Sequence, residues 1–310
     1  MQKTAIKNIS FIALFAIFTI FIVSMMVMTR PANAAQATVN LRTAAPFAIL
    51  SGTPNITDAG NSSVINGNVG LYPATGAGIG LLCSQVSGTI YSPDATGPLP
   101  CRVTNPPLLL TAKNNLTTAY IDAAGRTPLT TVPTELGGTT LVAGVYDSTS
   151  TKLGISAGAG ALTLDGQGDP SSVFIFQAPF SGTGLTVGPG STVTLTNGAQ
   201  ACNVFWRVDS ADIDTTANFV GTILALNSIS VANGATIEGR LLARNGNVTL
   251  INDTITAPIC AGNDTEDATP GLPNTGEISK QSTGILIATA VFFVTAASLV
   301  AYTFFKKRTN

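Results

Sequence analysis

An 18-residue repeat constrains this chain more than any other feature. Phe219-Val220-Gly221-Thr222-Ile223-Leu224-Ala225-Leu226-Asn227-Ser228 aligns with Ile237-Glu238-Gly239-Arg240-Leu241-Leu242-Ala243-Arg244-Asn245-Gly246, and Asn203–Ser210 takes the same frame 18 residues upstream. A unit this short cannot bury its own apolar side, so it must stack on copies of itself. The expected product is a solenoid of parallel strands about 4.8 Å apart, with alternate side chains entering a narrow core. Ile223 should then lie directly over Leu241.

The same alternation predicts what faces outward. Thr192, Thr194 and Thr196 surround Val193 and Leu195; Ser210, Asp212 and Asp214 surround Ala211 and Ile213; Ser228, Ser230 and Ala232 surround Ile229 and Val231; Asn247 and Thr249 follow around Val248 and Leu250. Short hydroxyl side chains are thereby expected to form a ladder on one flat face, the candidate binding surface. Thr and Ser also simply suit a solvent-facing strand. From Thr38 to Cys260 the chain is rich in Gly, Thr, Ser, Asn, Val and Ile in short alternating runs, the composition of many short strands. One stretch departs from it. Asn105-Pro106 reads as an N-cap followed by proline in the first turn, and Leu109, Ala112, Leu116, Ala119, Tyr120 and Ala123 recur at helical spacing, which predicts one amphipathic helix over about 106–124.

Both ends carry addresses. Lys3 and Lys7, the uncharged run Ile9–Val27 and the small residues Ala32-Asn33-Ala34 read as an export signal over 1–34, the alternative being an uncleaved anchor helix. Near the other end, Leu272-Pro273-Asn274-Thr275-Gly276 is followed by a polar spacer, the apolar run Gly284–Phe305 and Lys306-Lys307-Arg308, with 277–310 forming the whole tail. The apolar run is long enough to cross a bilayer and the cations hold its end inside. This tripartite pattern resembles the sorting signal of sortase substrates. The resemblance implies that a sortase cysteine attacks the Thr275 carbonyl, releases Gly276 onward and passes the chain to an envelope amine, after the C-terminal helix has held it in the membrane. Residues 261–271 then form an acidic linker, and the protein is extracellular and anchored to the cell wall or envelope.

Between the two processing sites, Ala35–Thr275 carries eight Lys and Arg against fifteen Asp and Glu, a net charge of −7, although the full chain sums to −1. Nucleic acid is thereby an unsuitable partner. Cys83, Cys101, Cys202 and Cys260 form an even set in an exported chain, so disulfides are expected; of the three connectivities, Cys83 with Cys101 and Cys202 with Cys260 is favoured. No metal site, cofactor or catalytic residue is expected, since the chain has no histidine and no Cys-x-x-Cys. Asp209, Asp212 and Asp214 with Arg207 and Arg240 are the residues from which an acid, base or calcium cluster for sugar cleavage would have to be built, and isolated acids on a solvated strand are the commoner outcome.

Several longer motifs resemble the ice-binding-protein-like family: Leu141–Tyr146, Leu162–Gly166, Asp169–Gln177, Asn197–Trp206 and Val220–Ala225 with Gly239–Ala243, in the family's order over roughly Leu41 to Cys260. The resemblance implies an all-β-dominated, right-handed, discontinuous parallel β-solenoid, triangular in section, over 35–260. One long helix packs alongside, and a disulfide-bearing cap insertion falls at about 72–104. It also implies an ice crystal surface as partner, met by one flat face, in some members through Thr-Ala/Gly-any-Thr/Asn repeats; Thr183-Gly184-Leu185-Thr186 fits that pattern, as does Thr111-Ala112-Lys113-Asn114 inside the predicted helix. The expected function is a surface-anchored ice-binding adhesion protein. The alternative is an adhesin of the same fold that binds a glycan, another cell or another extracellular surface.

Overall fold

The computed structural model describes residues 36–261. Of the two units into which the chain divides, Met1–Asp264 and Thr265–Asn310, only the first contains described residues. The expected export signal, sorting motif and apolar tail, and all but the first residue of the linker, lie outside them. Among the described residues no helix is long and apolar enough to cross a membrane.

The chain winds into a parallel, three-faced solenoid. Strand Val204–Ile213 lies on the first face up to Val208, turns, and lies on the second from Ala211; Asn218–Ala225 begins on the third face and regains the first at Thr222. Ile229–Val231 and Thr236–Ala243 repeat the circuit one coil on. Strands that bend around corners join most faces into one 17-stranded sheet, with a separate three-stranded sheet of Thr140–Val142, Leu162–Asp165 and Val193–Thr196. Two successive repeats turn their third-to-first corner on paired glycines, Gly221 and Gly239. Gly221 has φ +115°, and a Cβ there would sit 2.7 Å from Val204 Cγ1, so both conformation and space demand glycine.

One inward column runs the length of the first face. Its register is Tyr146, Phe176, Trp206, Ile223, Leu241, Ile49, Val69 and Ile90, each paired to the next across adjacent strands. Ile223 does sit over Leu241. Phe176 and Trp206 stack with ring centroids 3.9 Å apart, and the buried Trp206 N–H donates to Val220 O at 3.0 Å. The Leu241–Ile49 pairing shows why the solenoid is discontinuous, because the first coil in sequence stacks against the last one.

The expected frame for Asn203–Ser210 is off by one residue on this face. Trp206, not Phe205, pairs with Ile223, whereas Ala211 pairs with Ile229 at the full 18-residue separation. The later coil fits Leu226-Asn227-Ser228 into the corner where the earlier one has only Asp209-Ser210. A one-residue slip exchanges inside and outside, so Trp206 points into the core and Phe205 points outward.

Phe205 is nevertheless buried, because the helix covers this face. The helix Pro106–Gly125 is capped by Asn105, whose side chain accepts from Leu108 N, and its buried stripe is Leu109, Ala112, Leu116, Ala119, Tyr120 and Ala123. That stripe packs on Phe47, Leu50, Val145, Ile175, Phe205, Leu224 and Leu242. First-face strands are therefore apolar on both sides, as in sheets covered by helices. Lys113, buried in the same seam, donates from Nζ to the carbonyls of Ala243 and Arg244 at 2.6 Å each. At about 1.5 Å per residue the helix carries the chain roughly 30 Å back along the solenoid. Disulfides join Cys83 to Cys101 in the cap and Cys202 to Cys260.

The column makes a direct prediction. Leu241 is fully buried between Ile223 and Ile49, so Leu241→Ala should cost about 2–5 kcal/mol in urea unfolding.

Candidate functional site

The helix packs on the first face alone and leaves the second and third uncovered; the second, the open face, carries one outward row across seven strands. It is built from Leu153–Ile155, the end of Phe174–Val187, the end of Val204–Ile213, Ile229–Val231, Val248–Leu250, Ile56–Asp58 and Ile79–Gly80. Leu185, Val187, Ala211, Ile213, Ile229, Val231, Val248 and Leu250 point inward and are buried. The residues between them point out in a single unbroken register: Gly154, Thr186, Asp212, Ser230, Thr249, Thr57 and Gly80. Seven strands about 4.8 Å apart place this row along roughly 29 Å. A shallow depression of about 330 Å³ lies along it, lined by Thr57, Thr186, Asp212, Asp214, Ser230 and Thr249 among others.

Hydrogen bonds stiffen the border with the covered face. Thr183 Oγ1 donates to Asp212 at 2.9 Å, Gly182 N and the Asn227 side chain donate to the buried Asp209, and Ser228 Oγ donates to Asn247 Oδ1 at 2.7 Å. The border with the third face is held by two buried carboxylates. Asp253 accepts from Ala235 N at 2.9 Å and Ile251 N at 2.8 Å. Burial pushes its pKa up to about 6 against those hydrogen bonds, with the nearby charge of Asp58 adding to the rise. Burial also raises Asp58, but hydrogen bonds from Ser63, Asn252 and Gln85 outweigh it and hold its carboxyl below the usual range.

The structure splits the expected ladder between two faces. Thr186, Ser230 and Thr249 stand in the row of the open face, and Thr183, Ser210, Ser228 and Asn247 stand at its border with the covered face. Thr192, Thr194 and Thr196 do not: Thr194 pairs with Thr163 on the third face, and Thr192 bridges to Asn218 there. The open-face neighbour of Asp212 on that side is Thr186 instead, because the preceding coil reaches this face with the end of the long strand Phe174–Val187 and not with Val193–Thr196. Thr57 escapes the repeat pattern because its coil lies far away in sequence. Asn55-Ile56-Thr57 nevertheless repeats the pattern of Asn247-Val248-Thr249, beside which it stacks. Asp212 stands third in the row, exposed, between Thr186 and Ser230. Thr111 and Asn114 lie in the helix, where Thr111 Oγ1 donates to Pro107 O.

The two arginines of the candidate sugar-cleaving set lie apart. Arg207 lies over the Tyr120 ring at 4.6 Å, whereas Arg240 is buried at another corner with Nε on Ala45 O and Nη2 on Pro258 O. No cluster of potential metal ligands occurs among the described residues.

A family model described as ice-binding-like matches residues 49–256, from the first strand of the covered face to the last strand of the third. The chain belongs to the ice-binding-like family. An ice-binding protein of Colwellia sp. is 43% identical over 71% of this chain and 84% of its own length. One from Flavobacterium frigoris is 41% identical over 71% of this chain and 76% of its own. A crystal structure of an ice-binding protein from an Antarctic biological consortium superimposes with a TM-score of 0.63 at 37% identity, covering 75% of this chain and 96% of that one. In this member of the ice-binding-like family the matched residues 49–256 include the helix and the Cys83–Cys101 insertion.

The raised pKa of Asp253 sets a pH dependence. Its folded value near 6 exceeds the ordinary 3.8, so its contribution to stability is complete below about pH 4 and is lost as the pH rises through 6. Asp253→Asn should remove that downward slope between pH 4 and 6 in urea midpoints; equal slopes in both proteins would contradict the assignment.

Proposed function

We propose that this chain is an ice-binding protein of the cell surface, which meets the crystal with its open face and is fixed to the envelope through its C-terminal sorting signal. The observation that carries the ice-binding reading is the seven-strand outward row from Gly154 to Gly80, held in one register and uncovered by the helix. Parallel strands repeat at about 4.8 Å across the face, and alternate residues at nearly 7 Å along it. Methyl and hydroxyl groups on such a lattice order surface water without pulling it into other orientations. The names of the relatives support the same reading. Anchoring rests on Leu272–Gly276 with the apolar run and basic end that follow it.

One observation favours the second reading, a surface adhesin whose ligand is a glycan or another cell. Asp212, on the third of the seven strands, and Asp214, just after that strand, are exposed and line the depression, where their charges compete with an ice-like water layer.

Thermal hysteresis separates the two readings, and single substitutions identify the face. Ser230→Tyr, in the middle of the open face, should abolish hysteresis and ice-recrystallisation inhibition while the circular dichroism spectrum is kept. Thr194→Tyr, on the third face, should leave both activities near wild type. Absence of hysteresis in the wild-type protein at high concentration removes the ice reading altogether. Asp212→Thr should raise hysteresis, since it replaces the charge with the group found at Thr186 and Thr249; a fall would mean that the carboxylate is part of the contact and would favour the adhesin.

A further inference from the structure

Among the described residues, the chain starts no further coil after its last strand, Thr254–Thr256. It climbs across the coils at the corner between the third and covered faces. Ala257 N donates to Asn66 O at 3.0 Å, Arg240 Nη2 donates to Pro258 O at 2.9 Å, Cys260 is bonded to Cys202, and Ala261 N donates to the Gln200 side chain at 2.7 Å. Arg240 is itself buried and also donates to Ala45 O at 2.7 Å, so this bracket grips the N-terminal segment, a coil and the strap together. Each coil passes from the covered face to the open face, then to the third and back. In a triangular section the corner carrying the strap is therefore the vertex opposite the open face.

The Cys202–Cys260 bond does more than hold the strap down. It closes a ring over a sequence separation of 58 residues, and Asp212, Ser230 and Thr249 of the open face all lie inside that ring. Tension between any of them and Ala261 must travel along two covalent arms, one ending at Cys202 and the other at Cys260. Without the bond, tension entering at Ala261 would break the contacts of Pro258 and Ala257 and then the pairings of Thr254–Thr256 one after another. With the bond, it also enters at Cys202, at the root of Val204–Ile213, a strand paired on both sides.

We infer that the strap 257–261 and its disulfide form a mechanical anchor, which holds the tether at the vertex opposite the open face and divides a pull on that face between two arms of the ring. The inference rests on the reading that the chain is tethered through the residues after Ala261.

The test is force spectroscopy on the full chain in detergent, pulled between its C-terminal end and a bio-orthogonal handle replacing the Ser230 side chain. Removing the bond, by Cys202→Ala with Cys260→Ala or by reducing the folded wild-type protein on the tether, should lower the mean rupture force roughly twofold at one loading rate. Reduction of the prefolded chain keeps the comparison available if the double variant does not fold. Cys83→Ala with Cys101→Ala, outside the ring, should leave the force unchanged. Equal forces in oxidised and reduced protein would overturn the load path, and so would an equal loss on removing the cap disulfide, which would mark mere general stabilisation. The anchoring reading fails by a separate observation, recovery of the protein from the medium alone when producing cells are fractionated.

Discussion

A coil of 18 residues has no interior, and everything in this molecule depends on the stacking that supplies one. The column from Tyr146 to Ile90 is continuous because each inward side chain rests on the one in the next coil at the strand spacing. Trp206 shows how tight the arrangement is. Its ring stacks on Phe176, its N–H is satisfied by Val220 O, and Gly221 leaves the room it needs. Burial of this kind is non-directional, so it is the glycine corners and the ladder hydrogen bonds that determine which residues share a column.

The three faces inherit different tasks from that core. The covered face is apolar on both sides and takes the helix, with Lys113 bonded to two carbonyls in the seam. The third face ends against the strap. The open face is left with short side chains in register, stiffened at its borders by Asp209, Asp58 and Asp253. The buried carboxylates fix these borders at some cost in desolvation.

Much of this was legible along the chain. Ile223 over Leu241 followed from the repeat, and the helix followed from Asn105-Pro106 and its apolar stripe, because both are local periodicities. The candidate face was legible only in part. Ser230 and Thr249 stand on it as the alternation implies and Ser210 and Ser228 at its border, but Thr194 does not, since alternation says that a residue points outward and not toward which side of a three-sided body. Phe205 and Trp206 could not be told apart for a related reason: a strand buried on both sides carries no inside-outside contrast.

The sequence by itself determined a stacked parallel solenoid, one helix and an even set of cysteines, because period, capping chemistry and cysteine number are written in consecutive residues. Only the tertiary structure decided that the coil of Ile49 and Thr57 sits against the last coil, that Arg240 brackets Ala45 and Pro258, and that Cys202 and Cys260 meet at the vertex facing away from Ser230. Those relations join segments up to about two hundred residues apart, and they depend on how many residues each corner absorbs. A single extra residue there, as in Leu226-Asn227-Ser228, shifts the register of the next strand and exchanges core for surface.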